Sequence, residues 1–163
     1  MNEMKIYRLD KNAITQKEFE QIVYVEQNGS DDCYTEEQLK EIWINSDKND
    51  NFVCTIDGII IAHISFNPYS KRRNGSIFIV NLTVLPTYRR KGIATKLIQE
   101  GCKYYFNKNY NLPVSITVDK DNIPALSLYQ KIGFKIVEPI TEIEEDDTQY
   151  IMVNTLEKII NNN

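Results

Sequence analysis

From Val80 to Thr95 the chain reads Val-Asn-Leu-Thr-Val-Leu-Pro-Thr-Tyr-Arg-Arg-Lys-Gly-Ile-Ala-Thr. A strand-like run ends at Pro86, a basic turn of Arg89, Arg90 and Lys91 follows, and Gly92 stands where a helical pattern begins. The first N–H groups of a helix have no partner within it, and the helix dipole favours negative charge beside them. Gly92 keeps a Cβ out of the path of an approaching ligand, Ala94 keeps the turn nearly as open, and the three cations add positive charge. That order of residue types describes a pyrophosphate cradle. It also describes a basic helix cap with a packing glycine. It is neither a Walker loop, which needs a second glycine followed by Lys-Ser/Thr, nor a Gly-x-Gly-x-x-Gly turn.

The elements that would position this turn follow from the hydrophobic period. Met4 to Leu9 reads as a short strand, and Ile14 to Gln27 as a helix with Phe19, Ile22, Val23 and Glu26 at helical spacing and Asn28-Gly29 as its stop. Thr35 with Gln38 makes a capping box for a helix through Leu39, Ile42 and Trp43. Phe52 to Ile56 and Ile59 to Phe66 flank Asp57-Gly58, a hairpin signal, and a Lys71–Gly75 turn leads to a strand from Ile77 to Val84. Lys91 to Phe106 is helical and Val114 to Val118 a β-branched strand. Asn122 caps a helix that tolerates Pro124 in its first turn and stops at Gly133. Phe134 to Val137 and Tyr150 to Leu156 complete the pattern. The order predicts an α/β (α+β) fold: one domain over residues 1–163, a mixed, mostly antiparallel sheet of about seven strands, and helices on both faces. The Ile77-to-Val118 segment predicts a crossover that makes its two strands parallel neighbours.

Composition narrows the class of function. The 163 residues are 42% hydrophobic and 26% charged, with ten Tyr and six Phe, enough for a buried core. A net charge of −4 argues against a nucleic-acid partner, which needs a basic face. Cys33, Cys54 and Cys102 form no metal or disulfide pattern, and the lone His63 excludes a multi-histidine site, so no metal is expected. The start MNEMKIYRLDKN lacks the apolar core of a signal peptide, and no run approaches the ~20 apolar residues of a membrane span. The reading is a soluble, cytoplasmic protein without a membrane partner; a homodimer is left open.

Arg89-Arg90-Lys91-Gly92-Ile93-Ala94 resembles the Arg/Gln-x-x-Gly-x-Gly/Ala signature of the GNAT superfamily of N-acetyltransferases, and Leu82-Thr83-Val84-Leu85-Pro86 resembles the strand that precedes it. Asn122 to Phe134 is similar to the family's Asn-x-x-Ala-x-x-x-Tyr-x-x-x-Gly-Phe block. The resemblance implies a GNAT-like fold and transfer of an acetyl group from acetyl-CoA, a co-substrate, to a primary amine of a small molecule or peptide. It implies a cleft where the strands at Leu82–Val84 and Val114–Val118 splay apart, with pantetheine pairing to main chain at Leu82 and Val84. A main-chain N–H near Leu82 would face the thioester oxygen, and the turn from Arg89 through Arg90, Lys91, Gly92, Ile93 and Ala94 to Thr95 would hold the pyrophosphate. Asn122 would contact the pantetheine arm, although helix capping alone explains it.

Attack of an amine on a thioester needs help with the amine's proton, the oxyanion and the departing thiolate. The family position makes Tyr129 the general acid, while its shared helical face with Ala125, Leu126 and Ile132 also suits a core residue. Many relatives carry a carboxylate just ahead of the Leu-x-Val unit; Val80-Asn81 stands there instead, and neither can take a proton. Asp119, His63, Glu26 and Tyr34 are the stand-ins available. Glu142, Glu144, Glu145, Asp146 and Asp147 form an acidic loop that either attracts a cationic amine or is a solvated hairpin tip. A different class has the same cradle: a module that binds acyl-CoA as a sensor without turning it over.

Overall fold

The computed structural model describes residues 3–31, 34–44 and 46–163, so Cys33 lies outside the described residues. Seven strands form one mostly antiparallel sheet in the order β1-β2-β3-β4-β5-β7-β6. The chain divides into two compact units, Met1–Phe66 with Val80–Ile98 and Asn67–Ile79 with Gln99–Asn163.

In the first unit β1 (Met4–Arg8) pairs antiparallel with β2 (Asp50–Ile56), and β2 with β3 (Ile59–Ser70), which bulges the register at Cys54/Thr55. Asp57 and Gly58 turn the hairpin with φ of 50° and 82°, the two positive values that a type I′ turn requires. Helix α1 (Gln16–Gly29) starts two residues later than its apolar pattern because Thr15 caps it, the Thr15 hydroxyl accepting from the Glu18 amide and the Glu18 carboxylate from the Thr15 amide. Its buried face supplies Ile22 and Val25 to a cluster with Leu9, Val53 and Ile60, and Phe19 and Val23 to a second with Leu39. The Thr35 capping box starts α2 (Glu36–Leu39) as predicted. The α-helix ends after four residues, however, and continues as a π-helical turn over Lys40–Ile44.

Gly29 does not stop α1 by adopting a left-handed conformation; it is the helix's last residue. Its role is space. A Cβ there would lie 2.6 Å from Thr83 Cγ2 and 3.3 Å from the Val84 carbonyl oxygen, so only glycine lets the helix end approach that strand.

In the second unit the first residues of β4 (Ser76–Val84) pair parallel with β5 (Val114–Asp119) through Ile77↔Val114 and Phe78↔Ser115, the crossover predicted. Antiparallel β7 (Gln149–Asn154) lies between β5 and β6 (Lys135–Val137). Helix α3 (Ile93–Asn107) runs from the first unit into this one. Helix α4 (Ile123–Ile132) has the predicted ends: Asn122 accepts from the Ala125 amide at 3.2 Å, and Gly133 closes it at φ 106°. The last strand stops at Asn154, short of Leu156, because Thr155 caps a short helix α5 (Leu156–Ile160) through the Lys158 amide. No helix among the described residues is long and apolar enough to cross a membrane.

Candidate functional site

The basic turn is built by the backbone. After a 3-10 turn at Pro86–Tyr88, Arg90 adopts φ 62° and Gly92 φ 78°, so α3 begins at Ile93 rather than at Lys91. Lys96 is the first residue to donate back across the start, its N–H reaching the Gly92 carbonyl at 3.1 Å. The amides of Ile93, Ala94 and Thr95 therefore precede the helix's first closed turn, the place where N–H groups point outward. A Cβ on Gly92 would meet nothing within 4 Å, so the space above this helix start is open. Arg90, Lys91 and Gly92 are exposed, and Lys91 Nζ stands 5.5 Å from the Tyr88 ring. Ile93 offers only its amide, since its side chain is buried in the core.

Arg89 departs from the rest of the turn. Its Nε donates to the Val84 carbonyl at 3.0 Å and its Nη2 to the Gly29 carbonyl at 2.7 Å. Gly29 ends α1, where the helix dipole favours a cation, so this guanidinium clamps the loop to the helix end. Of the two strand residues predicted to pair with pantetheine, Leu82 is half-buried, while Val84 is buried with its carbonyl held by Arg89.

The same helix and strand share a buried polar cluster. Glu26 exposes 3% of its surface and His63 none. His63 Nδ1 lies 2.8 Å from Glu26 Oε1, and His63 Nε2 lies 2.9 Å from Asn51 Oδ1. Asn81 Nδ2 donates to Glu26 Oε1 at 2.8 Å, and the Thr83 hydroxyl donates to Glu26 Oε2 at 3.1 Å. Two of the four base candidates, Glu26 and His63, thus meet in one cluster. Asp119 is exposed and accepts from Gln149 Nε2 at 3.0 Å, and Tyr34 is exposed. Sequence reasoning did not single out Asn51 or Thr83. The available signal was Glu26 itself, a lone carboxylate on the apolar face of α1.

In the second unit Tyr129 is buried, its ring edge-on to Phe134 with centroids 5.9 Å apart. Burial pushes its phenol up to about 12, so it holds its proton throughout the neutral range. The acidic loop is not uniformly solvated. Glu144 is buried: it accepts from Arg73 Nη1 at 3.2 and 3.3 Å, from the Arg73 amide at 3.2 Å and from the Ile140 amide at 3.0 Å. Burial alone would raise its carboxyl, but the Ile140 amide and the Arg73 guanidinium outweigh it and hold the group below its ordinary value. Glu142, Glu145, Asp146 and Asp147 are exposed. Among the described residues no group of three or more His, Cys, Asp or Glu could hold a metal ion.

The family model described as Acetyltransferase (GNAT) family matches residues 14–134, from the start of α1 past the end of α4. The chain belongs to the GNAT acetyltransferase family. The matched stretch takes in Glu26, the end of β4, the Gly92 turn and Tyr129. An N-alpha-acetyltransferase of Saccharolobus solfataricus is 35% identical over 79 residues, 48% of this chain and 47% of that protein. An L-amino acid N-acetyltransferase of Escherichia coli is 27% identical over 84 residues, 52% of each chain. The chain spans about half the length of the curated relatives it matches. In fold it is similar to the PaiA N-acetyltransferase of Thermoplasma acidophilum in complex with coenzyme A. The TM-score is 0.69 at 18% identity, covering 94% of this chain and 99% of that one.

Proposed function

We propose that this chain transfers the acetyl group of acetyl-CoA directly to a primary amine of a small molecule or peptide. The observation that carries the reading is the Gly92 turn: a left-handed glycine with open space at its Cβ, beside exposed Arg90 and Lys91, at the unclosed start of α3. The amides of Arg90, Gly92, Ala94 and Thr95 bind the pyrophosphate, with Lys91 adding charge. Arg89 completes the cradle and also fixes the loop, its guanidinium donating to the Val84 and Gly29 carbonyls. The Leu82 main chain pairs with pantetheine and its N–H takes the oxyanion, and Asn122 contacts the pantetheine arm while capping α4. Support for an amine acceptor comes from the two relatives, one an N-alpha-acetyltransferase and one an L-amino acid N-acetyltransferase. The buried free thiols of Cys54 and Cys102 suit a reducing compartment, and the cytoplasm is the proposed location.

Tyr129 is the proton donor to sulfur, in a restricted sense. A thiol of cysteine type has a pKa of about 8.5, so complete transfer from a phenol at about 12 runs uphill. The phenol helps mainly as a hydrogen-bond donor to the departing thiolate. A panel of amino acids, polyamines and N-terminal peptides incubated with acetyl-CoA tests the function, with thiol release followed by a colour reagent and products identified by mass spectrometry. Acetylated amine supports the reading. Tight acetyl-CoA binding without thiol release from any acceptor replaces it with a sensor role.

A further inference from the structure

Transfer to an amine leaves one proton without a destination. The attacking nitrogen becomes an ammonium in the tetrahedral intermediate, and that proton must go before the amide is complete. Glu26 is placed to receive it. It comes from α1, 55 residues before Asn81, yet it is hydrogen-bonded to the side chains on both sides of Leu82, namely Asn81 at 2.8 Å and Thr83 at 3.1 Å. Its two oxygens are used differently. Oε1 takes both His63 Nδ1 and Asn81 Nδ2, which fix the carboxylate's orientation. Oε2 takes the Thr83 hydroxyl. Thr83 Oγ1 also accepts from Asn81 Nδ2 at a long 3.3 Å, which leaves it a further lone pair.

We propose that Glu26 is the proton acceptor of the transfer, reached through the Thr83 hydroxyl. This rests on the reading above that the thioester oxygen lies at the Leu82 N–H. The ammonium proton passes to Thr83 Oγ1 as the hydroxyl's own proton passes to Glu26 Oε2. The C–N bond has by then formed; the C–S bond breaks, and coenzyme A leaves as a thiolate steadied by Tyr129. After the amide departs, the proton returns along the same route to solvent. Among the described hydrogen-bond partners of Glu26, His63 on β3 is titratable and Asn81 and Thr83 on β4 are neutral, as is Asn51 on β2 behind His63.

The test compares the best-accepted primary amine of the panel with its aminooxy counterpart, whose nitrogen is weakly basic and whose intermediate sheds its proton to water unaided. Glu26→Gln should lower kcat/KM at least ~100-fold for the amine and under ~10-fold for the aminooxy compound, with calorimetric acetyl-CoA affinity unchanged. Equal losses on both acceptors would overturn the proposal and make Glu26 a structural residue. Should Glu26→Gln not fold, Thr83→Val, which removes only the relay hydroxyl, carries the same demand: a loss of ~10-fold or more confined to the basic amine, with equal losses again overturning it. Wild-type protein that transfers to no amine overturns the acetyltransferase reading and this proposal together. Transfer by wild type with equal losses in the variants removes this proposal alone.

Discussion

Among the described residues each unit of the molecule buries one carboxylate, Glu26 in the first and Glu144 in the second, and the two are held in opposite ways. Glu144 is gripped by a guanidinium and by two backbone amides, from Arg73 and Ile140. Glu26 is held by an imidazole, a carboxamide and a hydroxyl, all side chains. An arginine keeps its charge under all ordinary conditions. Removing Glu144 therefore strands a cation that cannot neutralise. The first arrangement locks a loop. The second leaves a carboxylate in contact with a hydroxyl through which a proton can move.

The largest effect expected of this contrast is on stability. Glu144→Gln should cost about 3 kcal/mol in urea unfolding, as for breaking one side of a buried ion pair. It should leave kcat per folded molecule within about twofold, since exposed acidic residues of the loop remain. A stable Glu144→Gln variant would erase the distinction between the two carboxylates. The pH dependence gives the same contrast a sign. Glu144 is held below its ordinary value of 4.5, so its contribution is present above that pH and is lost as pH falls through the lowered value. The stability gap between wild type and Glu144→Gln should thus narrow as the protein is titrated below about 4.5; a gap that widens as the pH falls contradicts the pairing.

Next in size is Tyr129→Phe, which keeps the ring against Phe134 and removes the hydroxyl. The expected loss is ~10-fold in kcat, at or below the foot of the usual range for acid catalysis, with melting temperature nearly unchanged. A full-speed variant makes Tyr129 a core residue. Smallest is the exposed part of the acidic loop. Changing Glu142 and Glu145 to Gln and Asp146 and Asp147 to Asn, with Glu144 kept, should raise KM for a cationic acceptor by about threefold at low salt and weaken the salt dependence of kcat/KM. An unaltered KM and salt response return these residues to the role of solvated surface.

What could be read beforehand was local. Asp57-Gly58, the Thr35 capping box, Asn122 and Gly133 each set a turn or a helix end within four residues, and each acts as the sequence pattern says. The Gly92 turn belongs with them, because a left-handed glycine before a helix is a short-range signal. The strand end at Leu156 was misplaced: Thr155 caps a helix there, and the apolar residues after it, Leu156, Ile159 and Ile160, suit a helix as readily as they end a strand. The unreadable part was made by distance along the chain. Arg89 reaches a carbonyl 60 residues away, and Glu26 meets Thr83 across 57. The hold of Arg89 on the end of α1 was not legible, because nothing near Arg89 in sequence shows that α1 ends beneath it.

The central claim is that the Gly92 turn holds the phosphates of acetyl-CoA, and calorimetric titration of acetyl-CoA into wild type and Gly92→Glu tests it most directly. The wild type should bind with micromolar or better affinity. Gly92→Glu forces a side chain into φ 78° and sets a carboxylate in the space left for phosphate, so binding should fall by at least ~100-fold with the protein still folded by circular dichroism. Equal affinity in the two proteins would contradict the cradle and the function built on it.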